Sequence, residues 1–230
     1  MELLETFYTR VVPIFLITVM VGMGLTLTLR HLRDVFAAPR AMLTGLTAQM
    51  LGLPFIAITL GFVFQSPPVI AAGAIILSAC PGGVTSNAYT FASRADTALS
   101  VSLTTVTSLI TVVTIPLVTL LAMKLHFEAA DIPAIPAGQM MLTLAKLTVI
   151  PIAVGMTFRA IWPTLAQKVI EPLRTATLWL LILIVVYGTW SAWDTIRENF
   201  FQAGLLMIAI NLAGMGLGYL IGRWQKLPVP

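Results

Sequence analysis

A short polar sequence interrupts an apolar stretch in the first half of the chain. Cys80–Gly83 (CPGG) is followed directly by Val84–Asn87 (VTSN). Proline removes a backbone donor and clashes with the preceding turn, and paired glycines loosen the backbone, so a helix is predicted to break here. Thr, Ser and Asn are N-cap residues and predict a second half-helix, whose free N–H groups would favour an anion. The alternative is a simple proline kink with hydroxyls that hold helices together.

Hydroxyl side chains recur along the next apolar segment. Ser100 and Thr104 are four residues apart, so both hydroxyls project from one face of a helix. Several neutral oxygens held close together are the ligands that a hard cation requires. Hydrogen bonding between helices is the alternative, and we expect it to explain most of the other hydroxyls of this segment.

Two more polar residues lie inside apolar segments. Gln49 costs free energy to bury unless its amide is paired, and a role in helix packing is an equally good explanation. Lys146 lies eight residues into its segment, where a cation by default indicates function. A side chain that reaches out to the membrane interface is the slightly stronger explanation for Lys146.

The elements that position these residues are predicted to be membrane helices. Only 10% of the residues are charged, against roughly 25% in soluble domains, and 58% are hydrophobic. A helix of about 20 apolar residues crosses the hydrocarbon core. We predict an all-α polytopic membrane protein with seven spans, of which the third is discontinuous: Val11–Leu29, Ala41–Phe64, Val69–Ala92, Thr97–Met123, Gly138–Phe158, Ala176–Trp193 and Phe201–Ile221.

Several classes of function are excluded by the same composition. The net charge of +4 does not indicate nucleic-acid binding, because the basic residues lie between the apolar runs, as membrane loops require. One cysteine and two distant histidines cannot form a Cys/His metal cluster. No Ser/His pair or Asp pair lies at membrane depth, so an enzyme is not expected.

The distribution of Lys and Arg predicts the orientation. Most of the 13 basic residues fall in alternate loops, which are placed inside, so the N-terminus lies outside and the C-terminus in the cytoplasm. The longest polar stretch then predicts a junction between two repeats. Residues 1–123 form the first repeat, 124–137 the junction and 138–230 a partial second repeat.

These motifs together resemble the bile acid:sodium symporter family. The matching residues are Cys80–Asn87, Arg94, Ala98–Ser100 with Thr104, Gly22–Leu27 and the segment around Gln49, in order along nearly the whole chain. The resemblance implies two inverted repeats with a core domain and a panel domain. It also implies sodium-coupled transport of an organic anion across the cell membrane, or the inner membrane of a bacterium, by alternating access.

The resemblance further implies the ligands and their sites. The partners would be sodium ions, the lipid bilayer and a small organic anion such as a bile acid, a pantoate-like acid or a keto acid. The first sodium site would be lined by Ser86, Asn87, Ser100 and Thr104, and Gln49 would contribute to a second. The substrate would bind at Gly83, Val84, Thr85 and Asn87. The inverted repeat pairs Gln49 with Asn211, and Val84 and Thr85 replace the Thr and Ala that are usual in the family.

One departure from the family concerns the end of the chain. The sequence ends at Pro230, before the second discontinuous helix and the final helix that the resemblance implies. That second helix would carry an acidic residue serving both sodium sites, and no Asp or Glu of this sequence is predicted at that depth. We therefore expect either a piece of a longer chain or a product that is defective in coupling. The alternative function is a truncated, non-transporting membrane protein that acts through helix association.

Overall fold

The computed structural model describes residues 7–27, 39–127 and 137–225, apart from the side chains of Tyr8, Val84, Thr85, Ala88 and Ala137. Within these ranges every regular element is a helix. The α-helices are α1 Val12–Thr26, α2 Pro39–Thr47, α3 Leu53–Val63, α4 Pro68–Ser78, α5 Val84–Ala92, α6 Thr97–His126, α7 Ala137–Ile161, α8 Pro163–Ser191 and α9 Trp193–Trp224, and two π-helical turns span Phe7–Val11 and Ala48–Gly52.

The predicted all-α membrane architecture is confirmed. Six stretches of the described chain are long and apolar enough to cross a membrane: Thr9–Thr26, Pro39–Val63, Thr97–His126, Gly138–Ile161, Pro163–Ser191 and Trp193–Trp224. The remaining predicted span consists of α4 and α5, two short helices on either side of the predicted break. The protein is therefore a multi-pass membrane protein.

The last two spans begin earlier than predicted. The prediction started them at Ala176 and Phe201, whereas α8 starts at Pro163 and α9 at Trp193. Hydropathy marks only the part of a helix that contacts lipid, and a helix continues into the aqueous layer while its backbone hydrogen bonds are made. Pro163 fits the first turn of α8 because a proline there sacrifices no helical hydrogen bond.

Proline alone does not break a helix in this protein. Pro116, Pro151 and Pro172 lie inside α6, α7 and α8, which continue past them. Neighbouring groups can satisfy the carbonyl that a proline leaves free in a membrane helix. The helix ends before Pro81, where two glycines follow the proline. A proline followed by two glycines, and not a proline alone, therefore predicts a break.

The chain forms two compact units. One comprises Met1–Thr28 with Leu142–Phe200, and the other comprises Leu29–Met141 with Phe201–Pro230. Each unit draws segments from both halves of the chain, so the units differ from the two predicted repeats. The division into repeats stays a prediction.

In the first unit, α1 and α7 cross with their backbones in contact. A Cβ atom added to Gly24 would overlap the carbonyl oxygen of Ile152, and one added to Gly155 would overlap that of Val21. Arg159 Nη1 donates to the carbonyl oxygens of Leu25 at 2.9 Å and Thr26 at 2.6 Å. A cation at the C-terminal end of a helix satisfies free carbonyls and opposes the helix dipole.

We expect Gly24→Ala and Gly155→Ala each to destabilise the protein. Either methyl group would force two backbones apart, and such overpacking costs about 1–3 kcal/mol. The midpoint of thermal unfolding in detergent should fall for both variants. Gly216→Ala is the matched control, because a Cβ atom there meets nothing within 4 Å. Equal midpoints for the three variants would contradict the close crossing.

In the second unit, α4 packs between α3 and α6. The buried apolar cluster is dominated by small side chains and comprises Ala57, Ala72, Ala74, Ile75, Ala122, Leu206 and Ile210. Small residues allow membrane helices to approach closely, and dispersion contacts then hold them together. This unit carries the broken span and the predicted site residues.

The buried hydroxyls of α6 bond mainly within their own helix. Thr105 donates to Val101 O at 2.8 Å, and Ser108 donates to Thr104 O at 2.7 Å. The expectation that most of them bond between helices is therefore wrong. A Ser or Thr hydroxyl inside a helix lies within reach of the carbonyl one turn back, so it needs no partner on another helix.

Candidate functional site

The third span is broken where the sequence predicts it. Between α4 and α5, residues 79–83 are not helical. Gly83 has extended backbone geometry, with φ −76° and ψ 153°. None of the described glycines has a positive φ, so Gly82 and Gly83 do not serve to give a left-handed conformation. Gly82 instead leaves room for two neighbouring polar side chains.

The start of α5 differs from the prediction in one respect. Thr85, Ser86 and Asn87 were expected to supply the N-cap, but the cap residue is Gly83 and no side chain caps the helix. The Ser86 hydroxyl donates to Gly83 O at 2.7 Å, because one turn of helix brings it over that carbonyl. The helix start therefore keeps backbone N–H groups that no described side chain satisfies. The side chains of Val84 and Thr85 lie outside the described part of the structure.

A tight turn places α5 against the beginning of α6. Arg94 adopts a left-handed conformation, with φ 55°, and Asp96 caps α6 by accepting from Leu99 N at 2.9 Å. The chain therefore reverses within a few residues, and the two helices contact each other. This hairpin brings Asn87 and Ser100 together, although 13 residues separate them.

Asn87, Ser100 and Thr90 form a hydrogen-bonded cluster. The Ser100 hydroxyl donates to Asn87 Oδ1 at 2.6 Å. Thr90 Oγ1 lies 3.3 Å from Ser100 Oγ and donates to Ser86 O at 2.8 Å. The predicted residues Asn87 and Ser100 are thus in direct contact, and Thr90, which the sequence analysis did not single out, joins them. Its signal was its spacing of four residues from Ser86 and three from Asn87.

Gln49 and Thr104 meet at Gly82. A Cβ atom built on Gly82 would lie 3.5 Å from Gln49 Nε2 and 3.7 Å from Thr104 Oγ1. Thr104 is 5% exposed, and its hydroxyl donates to Ser100 O at 3.0 Å. The amide of Gln49 carries both an acceptor and donors, so a turn about its last bond can present either to the break. The structure therefore brings the segment of Gln49 to the broken span.

Gln49 lies in a wide helical turn. In the π-turn Ala48–Gly52, the N–H of Leu53 bonds to Ala48 O, one residue farther back than in an α-helix. The next residue, Pro54, has no N–H to donate. Single π-turns inside α-helices occur frequently at functional sites. This turn was not predicted from the sequence.

A cavity of about 660 Å³ opens beside the break. Its polar lining comes mainly from the break, α5, α6 and the π-turn and includes Gln49, Gly82, Ser86, Ser100 and Thr104. Its apolar wall includes Leu53, Leu77, Leu103, Met207, Ile210 and Met215. Sites for small molecules commonly have this size and this combination of apolar walls with a few polar groups. Asn87 does not line the cavity itself but bonds to Ser100, which does.

Helix α9 forms part of the cavity wall and packs closely on the second span. Asn211 lines the cavity and donates to Met207 O, in its own helix, at 3.0 Å. A Cβ atom on Gly52 would lie 2.7 Å from Leu217 Cδ2, and one on Gly214 would lie 2.7 Å from Leu53 Cδ2. Gln49 and Asn211 thus line the same cavity, and their pairing through an inverted repeat stays a prediction.

Lys146 is not among the residues that line this cavity. Lys146 belongs to the first unit and is exposed, and within the described residues it has no hydrogen bond or ion pair. Among the residues that the structure describes, those that line the cavity include no Asp or Glu. Their oxygen donors are therefore neutral hydroxyls and amides.

Known proteins resemble this chain over most of its length. Residues 13–199 match the sodium bile acid symporter family. The chain is 32% identical to an uncharacterized sodium-dependent transporter of Bacillus subtilis, over 95% of this chain and 65% of that protein. It is 28% identical to a probable chloroplastic sodium/metabolite cotransporter of Arabidopsis thaliana, over 89% of this chain and 49% of the relative. It is 29% identical to the human ileal sodium/bile acid cotransporter, over 99% of this chain and 64% of the relative.

The chain thus spans between about half and two thirds of the length of these relatives. The family and the relatives are transporters and not enzymes, in agreement with the sequence analysis. The match covers the broken span, the hydroxyl pair of α6 and the segment of Gln49. The chain belongs to the sodium bile acid symporter family.

Proposed function

We propose that this chain carries out sodium-coupled symport of a small organic anion by alternating access. One observation carries the proposal: the broken third span, the start of α6 and the π-turn bring neutral oxygen ligands to one cavity. The names of the relatives, which include bile acid and metabolite cotransporters, support the same class of activity. The membrane is the cell membrane, with the N-terminus outside and the C-terminus in the cytoplasm.

The sodium ligands in this proposal are oxygens on both sides of the α5–α6 hairpin. Ser86, Asn87, Ser100 and Thr104 line the first site, and Gln49 contributes to a second. The hydrogen bond of 2.6 Å between Ser100 and Asn87 holds two of these oxygens close together before an ion arrives. Sodium carries a single charge and is bound by hydroxyl, amide and carbonyl oxygens as other hard cations are.

The anion binds at the start of α5 in this proposal. Gly83 is exposed, and the N-terminus of α5 has no side-chain cap, so its N–H groups and its dipole favour a negative charge. Gly83, Val84, Thr85 and Asn87 form this subsite, and the carboxylate of a bile-acid-like, pantoate-like or keto-acid substrate occupies it. Discontinuous helices present anion sites of this kind in other transporters.

Asn87 couples the binding of sodium to the binding of the anion, because it belongs to both proposed sites. Asn87 contacts Ser100 on α6 and lies in the first turn of α5. A sodium ion between α5 and α6 therefore fixes the helix whose N-terminus receives the anion. Each ligand then stabilises the arrangement that the other requires, and by linkage the two binding free energies are coupled equally in both directions.

Sodium-driven uptake by the protein in proteoliposomes tests this function. We expect uptake of radiolabelled taurocholate, pantoate or pyruvate under an inward sodium gradient and none when potassium replaces sodium. Asn87→Ala and Thr104→Ala should lower the apparent sodium affinity at least about tenfold, because each removes an oxygen ligand worth roughly 1.5–3 kcal/mol.

Two matched controls accompany these variants. Asn199 is half-buried and donates to Thr195 O of its own helix, and Thr59 donates to Phe55 O. Asn199→Ala and Thr59→Ala should keep the sodium affinity of the wild type. Uptake that does not depend on sodium and is unchanged in Asn87→Ala and Thr104→Ala would contradict sodium coupling. Failure to bind sodium at all would favour the truncated, non-transporting alternative.

A further inference from the structure

Thr90 lies behind the pair of Asn87 and Ser100. It is half-buried on α5, one turn after Ser86, and its hydroxyl is within hydrogen-bond distance of two oxygens on different helices. These are Ser86 O at 2.8 Å and Ser100 Oγ at 3.3 Å. The side chain therefore links the backbone of α5 to the side chain of a cavity-lining residue on α6.

The number of hydroxyl protons fixes the direction of the hydrogen bonds in this cluster. Asn87 Oδ1 can only accept, so the single proton of the Ser100 hydroxyl is committed to it. Ser100 can then meet Thr90 only as an acceptor, so Thr90 must donate. The single proton of Thr90 is shared between Ser86 O, 2.8 Å from Thr90 Oγ1, and Ser100 Oγ, 3.3 Å from it. The Ser100 hydroxyl is thus held from two sides, by the bond that it donates and the bond that it accepts. One lone pair of Ser100 Oγ remains.

That remaining lone pair belongs to an oxygen on the cavity wall, because Ser100 lines the cavity. A hydroxyl without these partners rotates freely about its Cβ–Oγ bond, and an ion would have to fix it on binding. Holding a ligand in its binding orientation beforehand removes that cost. Residues behind metal ligands commonly act in this way.

An ordinary threonine provides the comparison. Thr59 donates to Phe55 O at 2.8 Å, the same distance and the same spacing as the bond from Thr90 to Ser86 O. That bond alone satisfies a hydroxyl and requires no function. Thr90 differs because it also reaches Ser100 across the hairpin.

We propose that Thr90 is a positioning residue of the sodium site: its hydroxyl does not bind the ion but orients the hydroxyl of Ser100 toward it. This inference rests on the proposed sodium-coupled function. It assigns to Thr90 an effect on sodium affinity and on discrimination among ions. Oxygens that are held in place favour the ion whose radius fits them, whereas loosened oxygens adapt to a smaller ion.

Binding of sodium-22 to the purified protein, with lithium as competitor, tests the inference. We expect Thr90→Val to weaken sodium binding about five- to tenfold, the effect of losing one hydrogen bond. The preference for sodium over lithium should fall, while the number of binding sites stays the same. Thr90→Ser keeps the hydroxyl and should restore both quantities to within about twofold of the wild type. Thr59→Val is the matched control for loss of a threonine hydroxyl.

A double-mutant cycle separates positioning from general destabilisation. If Thr90 acts through Ser100, Thr90→Val should add nothing to the loss caused by Ser100→Ala. Additive losses would overturn the inference, and so would unchanged affinity and selectivity in Thr90→Val when the wild type binds sodium. Absence of sodium binding by the wild type would overturn the proposed function as well, so the two failures are distinguishable.

Discussion

Gly82→Leu is expected to abolish sodium binding, whereas Gly82→Ala is expected to retain it. A methyl group on Gly82 would meet the Gln49 amide at 3.5 Å and the Thr104 hydroxyl at 3.7 Å, which are ordinary van der Waals contacts. The additional carbons of leucine extend past that methyl group into the space that separates the two polar side chains. We expect a loss of at least about 100-fold in sodium affinity, equivalent to roughly 3 kcal/mol.

The graded pair of substitutions makes this expectation specific. Gly73→Leu is the control, because Gly73 lies on α4 and a Cβ atom there meets nothing within 4 Å. It should fold and bind sodium as the wild type does. The measurement is sodium-22 binding to the purified variants, with thermal unfolding recorded in parallel. Tight sodium binding by Gly82→Leu would show that Gln49 and Thr104 do not share an ion pathway at the break.

Repairing the break is expected to eliminate transport. Replacing Pro81, Gly82 and Gly83 by three alanines restores the missing N–H donor and high helix propensity, so α4 and α5 should join into one helix. Each residue of an α-helix turns by about 100°, so a continuous helix would point Asn87 in a direction set by α4 and not by the hairpin. Asn87 and Ser100 would separate, and sodium-driven uptake should be lost.

Hydrogen exchange gives a readout of this change that does not depend on transport. The amides of residues 79–83 should become protected in the triple variant, because each would join a helical hydrogen bond. Pro172→Ala is the matched control, since Pro172 is exposed within the unbroken α8. It should leave both uptake and exchange at the break unchanged. Normal uptake by a protected, continuous helix would refute the role assigned to the break.

Much of the fold could be predicted because lipid imposes simple rules on a sequence. Backbone groups must be satisfied internally in a membrane, so long apolar segments predicted helices, and Pro-Gly-Gly predicted the place where the third would break. The starts of α8 and α9 could not be predicted in this way. Hydropathy falls where a helix leaves lipid, but the helix itself continues to Pro163 and Trp193.

The candidate site was only partly predictable for a related reason. The motif and the spacing of Ser100 and Thr104 indicated the hairpin residues, because they depend on local helix geometry alone. The contact of Gln49 with Gly82 depends on how distant helices pack, which no local pattern reports. Thr90 was missed although its spacing from Ser86 and Asn87 places all three on one face.

The π-turn at Ala48–Gly52 has a consequence for changes in chain length. It lets adjacent residues serve different neighbours: Gln49 lines the cavity, while the Met50 sulfur accepts from Thr114 Oγ1 at 3.8 Å. Deleting one residue from this turn would close it to an ordinary α-turn, because four α-helical residues turn the chain nearly as far as five residues of the wider turn. The flanking segments would keep their directions and the span its helix. The extra residue that lets Gln49 and Met50 face different neighbours would be lost, so a deletion among these five positions is expected to cost one of the two contacts.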